Sequence, residues 1–236
     1  MKQKLILFFI LSLFLSCNKE KISKSRIIML ESFEQIKLND AFELYITEGS
    51  NYSIEIVGDE KVIEYVDLKV ENNTLTIENK KKWKWISPKK NKINIYVSSL
   101  PLKKITAADG CNIRTLTPIT SMEFGLVLTG KSNQANLELR GNIFYYFNNF
   151  PTGGKLTLSG ETEILKIWNF ALMSVDARNL ISKYAIVENS SKGDCHLTVL
   201  NKLEYSIRGE GNIYLYGKSL EIIANDISSS GRLFQY

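Results

Sequence analysis

The sequence predicts an all-β protein whose larger part is a β-solenoid, a chain wound into stacked coils. Short runs that alternate apolar and polar residues follow one another along most of the chain, and Asn, Asp or Gly separates them; this pattern is typical of strands joined by turns. In the second half these runs recur about every 20 residues, which is a repeat length found in solenoids. The composition, with 44% hydrophobic residues, 14 Gly and only 4 Pro, indicates a globular chain and not a disordered one.

The first 16 residues have the form of an export signal. A basic start with Lys2 and Lys4 precedes an apolar stretch over residues 5–15, which ends just before Ser16 and Cys17. This stretch is too short to cross a bilayer, which takes about 20 residues, so we predict a signal peptide that is removed. The cleavage site resembles that of bacterial lipoproteins, and the resemblance implies that Cys17 carries a lipid. A cleaved but unlipidated signal is the alternative.

The signal fixes the expected compartment and the limits of the parts. We expect an exported protein, anchored by its lipid in the bacterial cell envelope at the outer membrane. The formal net charge of +5 falls to about +3 when Lys2 and Lys4 are removed, so bulk charge does not favour a nucleic-acid partner. The predicted parts are a signal peptide at 1–16, the lipidated Cys and a polar tether at 17–32, a β-rich N-terminal part at 33–106 and solenoid repeats at 107–236.

The β-rich N-terminal part should contain strands joined by tight turns. The pairs Asn39-Asp40 and Asn72-Asn73 fit such turns, because Asn and Asp tolerate positive φ. One short helix is expected at 59–66. The strands are predicted at 33–38, 41–47, 52–57, 68–71, 74–78 and 92–97.

The solenoid repeats show two strands in each unit of about 20 residues. Each unit would bury its apolar side only by stacking on its neighbours, so we predict about six coils around an apolar interior. Asn side chains at stacked turns would form hydrogen-bonded ladders between coils. A meandering β-sandwich is the alternative. The residues that mark the corner at this spacing are Thr129, Asn149, Asn169, Asn189, Gly209 and Ser229.

Several segments resemble the head GIN domain family of bacterial envelope proteins, which are described as auto-transporter adhesins. The resemblance covers the chain from Phe33 onward, and it implies a right-handed β-helix but little about activity. The GIN tripeptide itself is imperfect, since Asn142 and Asn212 stand where the family often has Ile. The segments that carry the resemblance are FEQI at 33–36, AFELYITEG at 41–49, LKVENNTLTI at 68–77, KINIYV at 92–97 and ADG at 108–110.

A segment rich in Lys and Trp is the strongest local anomaly. Its charge could attract lipopolysaccharide phosphate, anionic lipid headgroups or an acidic glycan, and its Trp rings offer flat surfaces. The alternative is a solvated hairpin extension whose two Trp cover the end of the core. The residues concerned are Lys80, Lys81, Lys82, Trp83, Lys84, Trp85, Lys89 and Lys90.

A second candidate surface follows from the dense aromatic run at 144–147. Strand alternation places Phe144 and Tyr146 on one side and Tyr145 and Phe147 on the other, so one pair must lie outside the core. Tyr145 and Phe147 could then bind a sugar ring or a protein. Stacking of rings between adjacent coils is the alternative.

No catalytic or metal-binding arrangement is evident. His196 is the only histidine, and a zinc site gathers three or four ligands. Cys111 and Cys195 lie 84 residues apart, about four coils, so we expect two buried thiols and neither a disulfide nor a shared metal. The acidic residues are scattered over outward strand positions, which leaves a polysaccharide-cleaving β-helix as a minor alternative. We expect no cofactor.

The sequence therefore favours a non-catalytic envelope protein that binds a glycan, lipid or protein partner through its outer faces. A purely structural surface scaffold is the alternative. No polar cap or helix follows the last coil, and an uncovered strand edge invites pairing. We therefore expect either an end-to-end homodimer or a shielded final coil.

Overall fold

The computed structural model describes residues 23–83, 92–149 and 151–236. Strands make up 69% of the structure and helix 2%, and the chain winds into a β-solenoid of about six turns with roughly 21 residues per turn. The predicted fold class is therefore confirmed.

The first half of the described chain holds most of the short elements. They are β1 (Ser23–Met29), β2 (Gln35–Leu38), β3 (Glu43–Glu48), β4 (Ser53–Asp59), α1 (Glu60–Ile63), β5 (Val66–Glu71), β6 (Thr74–Asn79), β7 (Ile93–Ser99), β8 (Lys104–Ala107) and β9 (Asn112–Thr115).

The second half holds longer strands that bend around a corner of the solenoid. They are β10 (Glu123–Leu128), β11 (Ser132–Asn148), β12 (Gly153–Ser191), β13 (Cys195–Ile207), β14 (Ile213–Tyr216), β15 (Glu221–Ile227) and β16 (Leu233–Gln235).

Two stacks of parallel strands form the walls of the solenoid. The first wall runs in the order β7, β3, β9, β11, β12, β13, β14, β16, and the second in the order β6, β2, β8, β10, β11, β12, β13, β15. The strands β11, β12 and β13 contribute to both walls because each continues past the corner.

Residues at equivalent places on successive coils lie in straight columns. One inward column of the second wall comprises Ile36, Ile105, Leu126, Tyr146 and Ile167, and each of these side chains is at most 1% exposed. Full burial of a side chain of this size contributes about 1.5–3 kcal/mol. The core is therefore a set of apolar columns that exists only when the coils stack.

An Asn ladder replaces the apolar column at one corner. Asn148, Asn169 and Asn189 are all fully buried. The sequence placed Asn149 in this ladder, and that residue is wrong. Asn148 takes the place because Phe147 aligns with Trp168 in the parallel register, so the next residue of each strand aligns as well.

The N-terminal end of the solenoid is closed by antiparallel strands. β4 lies between β1 and β7, and β5 lies beside β6, all antiparallel. The helix α1 adds the buried side chains Val62 and Ile63. It is shorter than the predicted 59–66, because Asp59 caps it by accepting a hydrogen bond from the Lys61 N–H.

The fold begins earlier than the sequence indicated. A polar tether over 17–32 with folding from about Phe33 was expected, but β1 pairs with β4 along its whole length, from Ser23 opposite Asp59 to Met29 opposite Ser53. The error arose because an edge strand needs few apolar residues to pair. The signal at 1–16 and Cys17 lie outside the described residues.

The chain enters the stack in its interior and not at its end. β2 lies between β6 and β8, and β3 lies between β7 and β9. The strands that flank β2 and β3 on the N-terminal side thus come later in the sequence.

Candidate binding surfaces

A groove of about 600 Å³ lies along the corner that follows the second wall. We call it the corner groove. It is lined by residues from successive coils, which makes it parallel to the solenoid axis. The lining residues used below are Phe147, Phe170, Leu172, Lys192, Arg208 and Glu210.

The floor of the corner groove is apolar. Phe147 points outward because Tyr146 and Asn148 on either side of it point into the core, and its ring meets that of Phe170 edge to face at 5.8 Å between centroids. Leu172 is 60% exposed at the next turn. Together these side chains leave apolar surface open to solvent, which is a common mark of a binding surface.

The turn that carries Leu172 has an unusual backbone. Ala171 has φ +60°, a left-handed conformation that is uncommon for a residue with a Cβ. The turn is held by hydrogen bonds to the neighbouring coils, since the Leu172 N–H donates to the Thr152 carbonyl and the Lys192 N–H donates to the Ala171 carbonyl. The groove floor is therefore fixed by backbone pairing.

The rim of the corner groove carries both signs of charge. Lys192 pairs with Glu210 at 3.1 Å. Arg208 pairs with Glu188 at 3.2 Å and with Asp226 at 2.7 Å. The hydrogen bond from Arg208 to Asp226, with the charge of Glu188, raises the pKa of Arg208. The rim thus offers positive and negative groups next to an apolar floor.

The predicted aromatic pair is outside the core but does not form one surface. Tyr145 and Phe147 both point outward, as alternation predicted. Tyr145 lines a separate depression of about 470 Å³ with Lys103 and Lys104. Gly125 makes room for it, because a Cβ at that position would lie 1.9 Å from the Tyr145 ring.

An aromatic ladder on the outer side of the first wall was missed by the sequence analysis. Its rings belong to His196, Tyr214, Tyr216, Phe234 and Tyr236, which we call the terminal aromatic ladder. Ring centroids are 4.6 Å apart for His196 and Tyr214, 5.2 Å for Tyr214 and Phe234, and 5.5 Å for Tyr216 and Tyr236. Parallel register places these residues on successive coils. A visible signal was the aromatic pair at i and i+2, which occurs at 214 and 216 and again at 234 and 236.

Charged side chains continue the ladder toward the N-terminus. Arg178 donates hydrogen bonds of 2.9 and 2.8 Å to Asp176, and Lys155 donates another of 3.1 Å. The Arg178 contact, with Lys155, holds the pKa of Asp176 well below its usual range. Burial, with the charge of Arg178, lowers the pKa of His196, whose Nδ1 lies 3.1 Å from the Tyr216 hydroxyl.

The Lys- and Trp-rich segment is only partly described. Lys80 is paired with Asp67, and this contact raises the pKa of the lysine. Lys81 is partly exposed, Lys82 is exposed, and Trp83 is 69% exposed with φ +58°. The predicted site residues Lys84, Trp85, Lys89 and Lys90 lie outside the described residues.

The two described cysteines are separate buried thiols, as predicted. Burial raises the pKa of both Cys111 and Cys195 to about 12. Within residues 23–83, 92–149 and 151–236, no three His, Cys, Asp or Glu side chains gather in a way that could hold a metal ion. In the same residues no helix is long and apolar enough to span a bilayer.

A closed stack of coils with apolar and aromatic side chains on its outer faces defines a protein of the β-solenoid class. The model of the family described as "putative auto-transporter adhesin, head GIN domain" matches residues 32–219. The chain therefore belongs to the head GIN domain family, as the resemblance in its sequence indicated. No curated protein sequence matches the chain.

Solved structures share this fold at low sequence identity. A protein of Bacteroides fragilis described as a putative adhesin is 15% identical, with a TM-score of 0.80 over 92% of this chain and 98% of that one. One from Parabacteroides merdae with the same description is 18% identical, with a TM-score of 0.63 over 93% and 97%. A Parabacteroides distasonis protein described as a putative lipid binding protein is 16% identical, with a TM-score of 0.65 over 93% and 98%.

Proposed function

We propose that this protein is an exported, non-catalytic binding protein of the adhesin type whose corner groove holds an envelope phospholipid. The observation that carries the proposal is the union, in one groove, of an apolar floor and a rim of both charges. The acyl chain lies on Phe147, Phe170 and Leu172. The head meets the rim.

The size and direction of the groove suit a chain-like ligand. Its lining comes from four successive coils, at 147–149, 170–172, 190–192 and 208–210. Stacked strands are about 4.8 Å apart, so three steps give a length of about 14 Å. An acyl chain extended along the solenoid axis would contact every coil.

The rim favours a zwitterionic head. Lys192 and Arg208 can each donate to a phosphate, and Glu210 can accept from an amine. A head with both charges would match these groups without leaving one of them unpaired. The lipid-binding description of a structural neighbour concerns that protein and shows only a shared fold at 16% identity.

The experiment measures transfer of a fluorescent-acyl phosphatidylethanolamine to the chain from Asn18 onward, which keeps every described residue. Leu172→Glu places a charge on the groove floor at an exposed position, so the fold should tolerate it. Loss of this contact should weaken binding about tenfold or more, because burying a leucine is worth about 1.5–3 kcal/mol. Leu220→Glu, at another exposed leucine, is the matched control and should bind normally.

Other outcomes would reassign the function. Binding that Leu172→Glu leaves intact would reject the groove as the site. Silence of the native chain toward phospholipid vesicles, with a positive glycan array, would move the proposal to a glycan partner. Silence in both, and in a pull-down from the envelope, would favour the structural scaffold.

We also propose that Cys17 anchors the mature protein in the outer membrane through a lipid. The signal-like residues 1–16 and the cysteine that follows them support this. Metabolic labelling with a fatty acid should mark the native protein and not Cys17→Ser. Labelling of the variant would refute the anchor without bearing on the groove.

A further inference from the structure

The C-terminal end of the solenoid is open, unlike the N-terminal end. Among the described residues, β15 pairs with β13 alone and β16 pairs with β14 alone. Each therefore leaves one edge with backbone N–H and carbonyl groups that no other described strand pairs. Such an edge can accept another strand.

The apolar core is also uncovered at this end. Ile227 stacks on Ile207 in the parallel register, yet Ile207 is fully buried and Ile227 is 55% exposed. Ile222 and Leu233 pack against the core but remain partly exposed. Terminal coils of solenoids need a cover over such side chains.

The terminal aromatic ladder ends here as well. Phe234 and Tyr236 each stack on a ring of the preceding coil, and they are 40% and 69% exposed. The ring faces turned away from β14 therefore form a stacking surface in the direction of the next coil.

We propose that this end binds the same end of a second copy of the chain across a two-fold axis. In this dimer β16 runs antiparallel to the partner's β16, with Gln235 opposite the partner's Gln235. This register places Phe234 opposite the partner's Tyr236. The aromatic columns then continue from one copy into the other.

Two properties of this end favour a second copy over another partner. It is self-complementary, because aromatic residues stand on both sides of Gln235 and meet aromatic residues after a two-fold rotation. It is also balanced in charge: the segment 218–236 carries Lys218 and Arg232 against Glu221 and Asp226. Two copies therefore meet without net repulsion.

The first experiment measures the mass of the chain from Asn18 onward by light scattering across a wide concentration range. The native chain should be a dimer. Phe234→Lys and Ile227→Lys should be monomers, because both change exposed positions of this end and add like charges across the axis. Leu172→Lys, at an exposed position in the corner groove, should remain a dimer and serves as the control.

A second experiment does not depend on the folding of those variants. Gln235→Cys should form a disulfide between two copies on mild oxidation, because opposed residues of antiparallel strands have Cα atoms about 4.5–5.5 Å apart. Ser50→Cys, at an exposed turn after β3, should not. A native chain that stays monomeric at every concentration, or a dimer that Gln235→Cys fails to cross-link, would overturn the proposal.

Discussion

Asn169 and Asn189 share a hydrogen bond inside the core, in which the Asn169 Nδ2 donates to the Asn189 Oδ1 at 2.9 Å. The two residues are equivalent positions on neighbouring coils. Asn189 also donates from Nδ2 to the carbonyls of Gly193, at 3.1 Å, and Gly211, at 3.0 Å. One buried amide thus ties the coil before it to the coil after it.

Asn189→Ala should lower the free energy of unfolding by about 1–3 kcal/mol, because it leaves buried carbonyls of Gly193 and Gly211 without their donor. Urea unfolding followed by circular dichroism measures this. Asn149→Ala, at the exposed neighbour of the ladder, should change stability by no more than about 0.5 kcal/mol. Equal effects at the two positions would mean that the ladder adds nothing to stability.

Two glycines separate backbone strain from close packing. Gly154 has φ +129°, and a Cβ there would lie 1.8 Å from the Asn133 carbonyl oxygen. Gly217 has φ +89° but its nearest neighbour atom would be 3.7 Å away. Gly217→Ala should cost about 1–3 kcal/mol for the backbone alone, and Gly154→Ala should cost more, because it also pushes apart two coils. Thermal melts of both variants test this order, and a smaller loss for Gly154→Ala would contradict it.

The buried thiols should not react in the folded protein. Cys111 and Cys195 have pKa values raised by burial to about 12, so at pH 8 neither should be modified by a thiol reagent until denaturant is added. Modification of either thiol in the native protein at the rate of a free cysteine would show that its burial is lost in solution.

The same thiols predict a loss of stability in alkali. Their pKa is higher in the folded chain than the 9.0 of an exposed cysteine, so above about pH 9 the unfolded chain releases protons that the folded chain retains. The free energy of unfolding should therefore fall from pH 9 toward pH 12. Cys111→Ala and Cys195→Ala together should flatten this decline. An unchanged slope would assign it to other groups.

The Lys- and Trp-rich segment remains a prediction as an anion-binding site. Replacing its lysines at 80, 81, 82 and 84 by Gln should reduce retention on anionic vesicles at low salt, because the attraction is electrostatic and screened by ions. The matched control removes the same charge elsewhere, through Lys37→Gln, Lys69→Gln, Lys131→Gln and Lys183→Gln. Equal retention of the native and segment variants would exclude the segment as the site.

The stacking of coils could be predicted because repeat length alone imposes it. Strand runs about 20 residues apart must lie side by side if their apolar faces are to be buried, and this holds without knowledge of the exact register. The buried thiols and the outward placement of Tyr145 and Phe147 followed from the same alternation.

The surfaces between coils could not be predicted, because the register varies along the stack. Ser132 aligns with Gly153, a step of 21 residues, whereas Cys195 aligns with Ile213, a step of 18. A change of one residue exchanges inward and outward side chains. This variation moved Asn148 into the ladder and concealed the alignment of His196 with Tyr214.

The interior position of β2 and β3 has a consequence for the order in which the chain can fold. These strands leave the ribosome before the residues that flank them on either side, since β6 and β7 end at Ser99 and β8 and β9 end at Thr115. The earliest coil must therefore wait, with both backbone edges bare, while at least 67 further residues emerge after Glu48. Contacts this distant in sequence form slowly. A chain destined for export stays loose enough to be threaded through a translocation pore during exactly that interval.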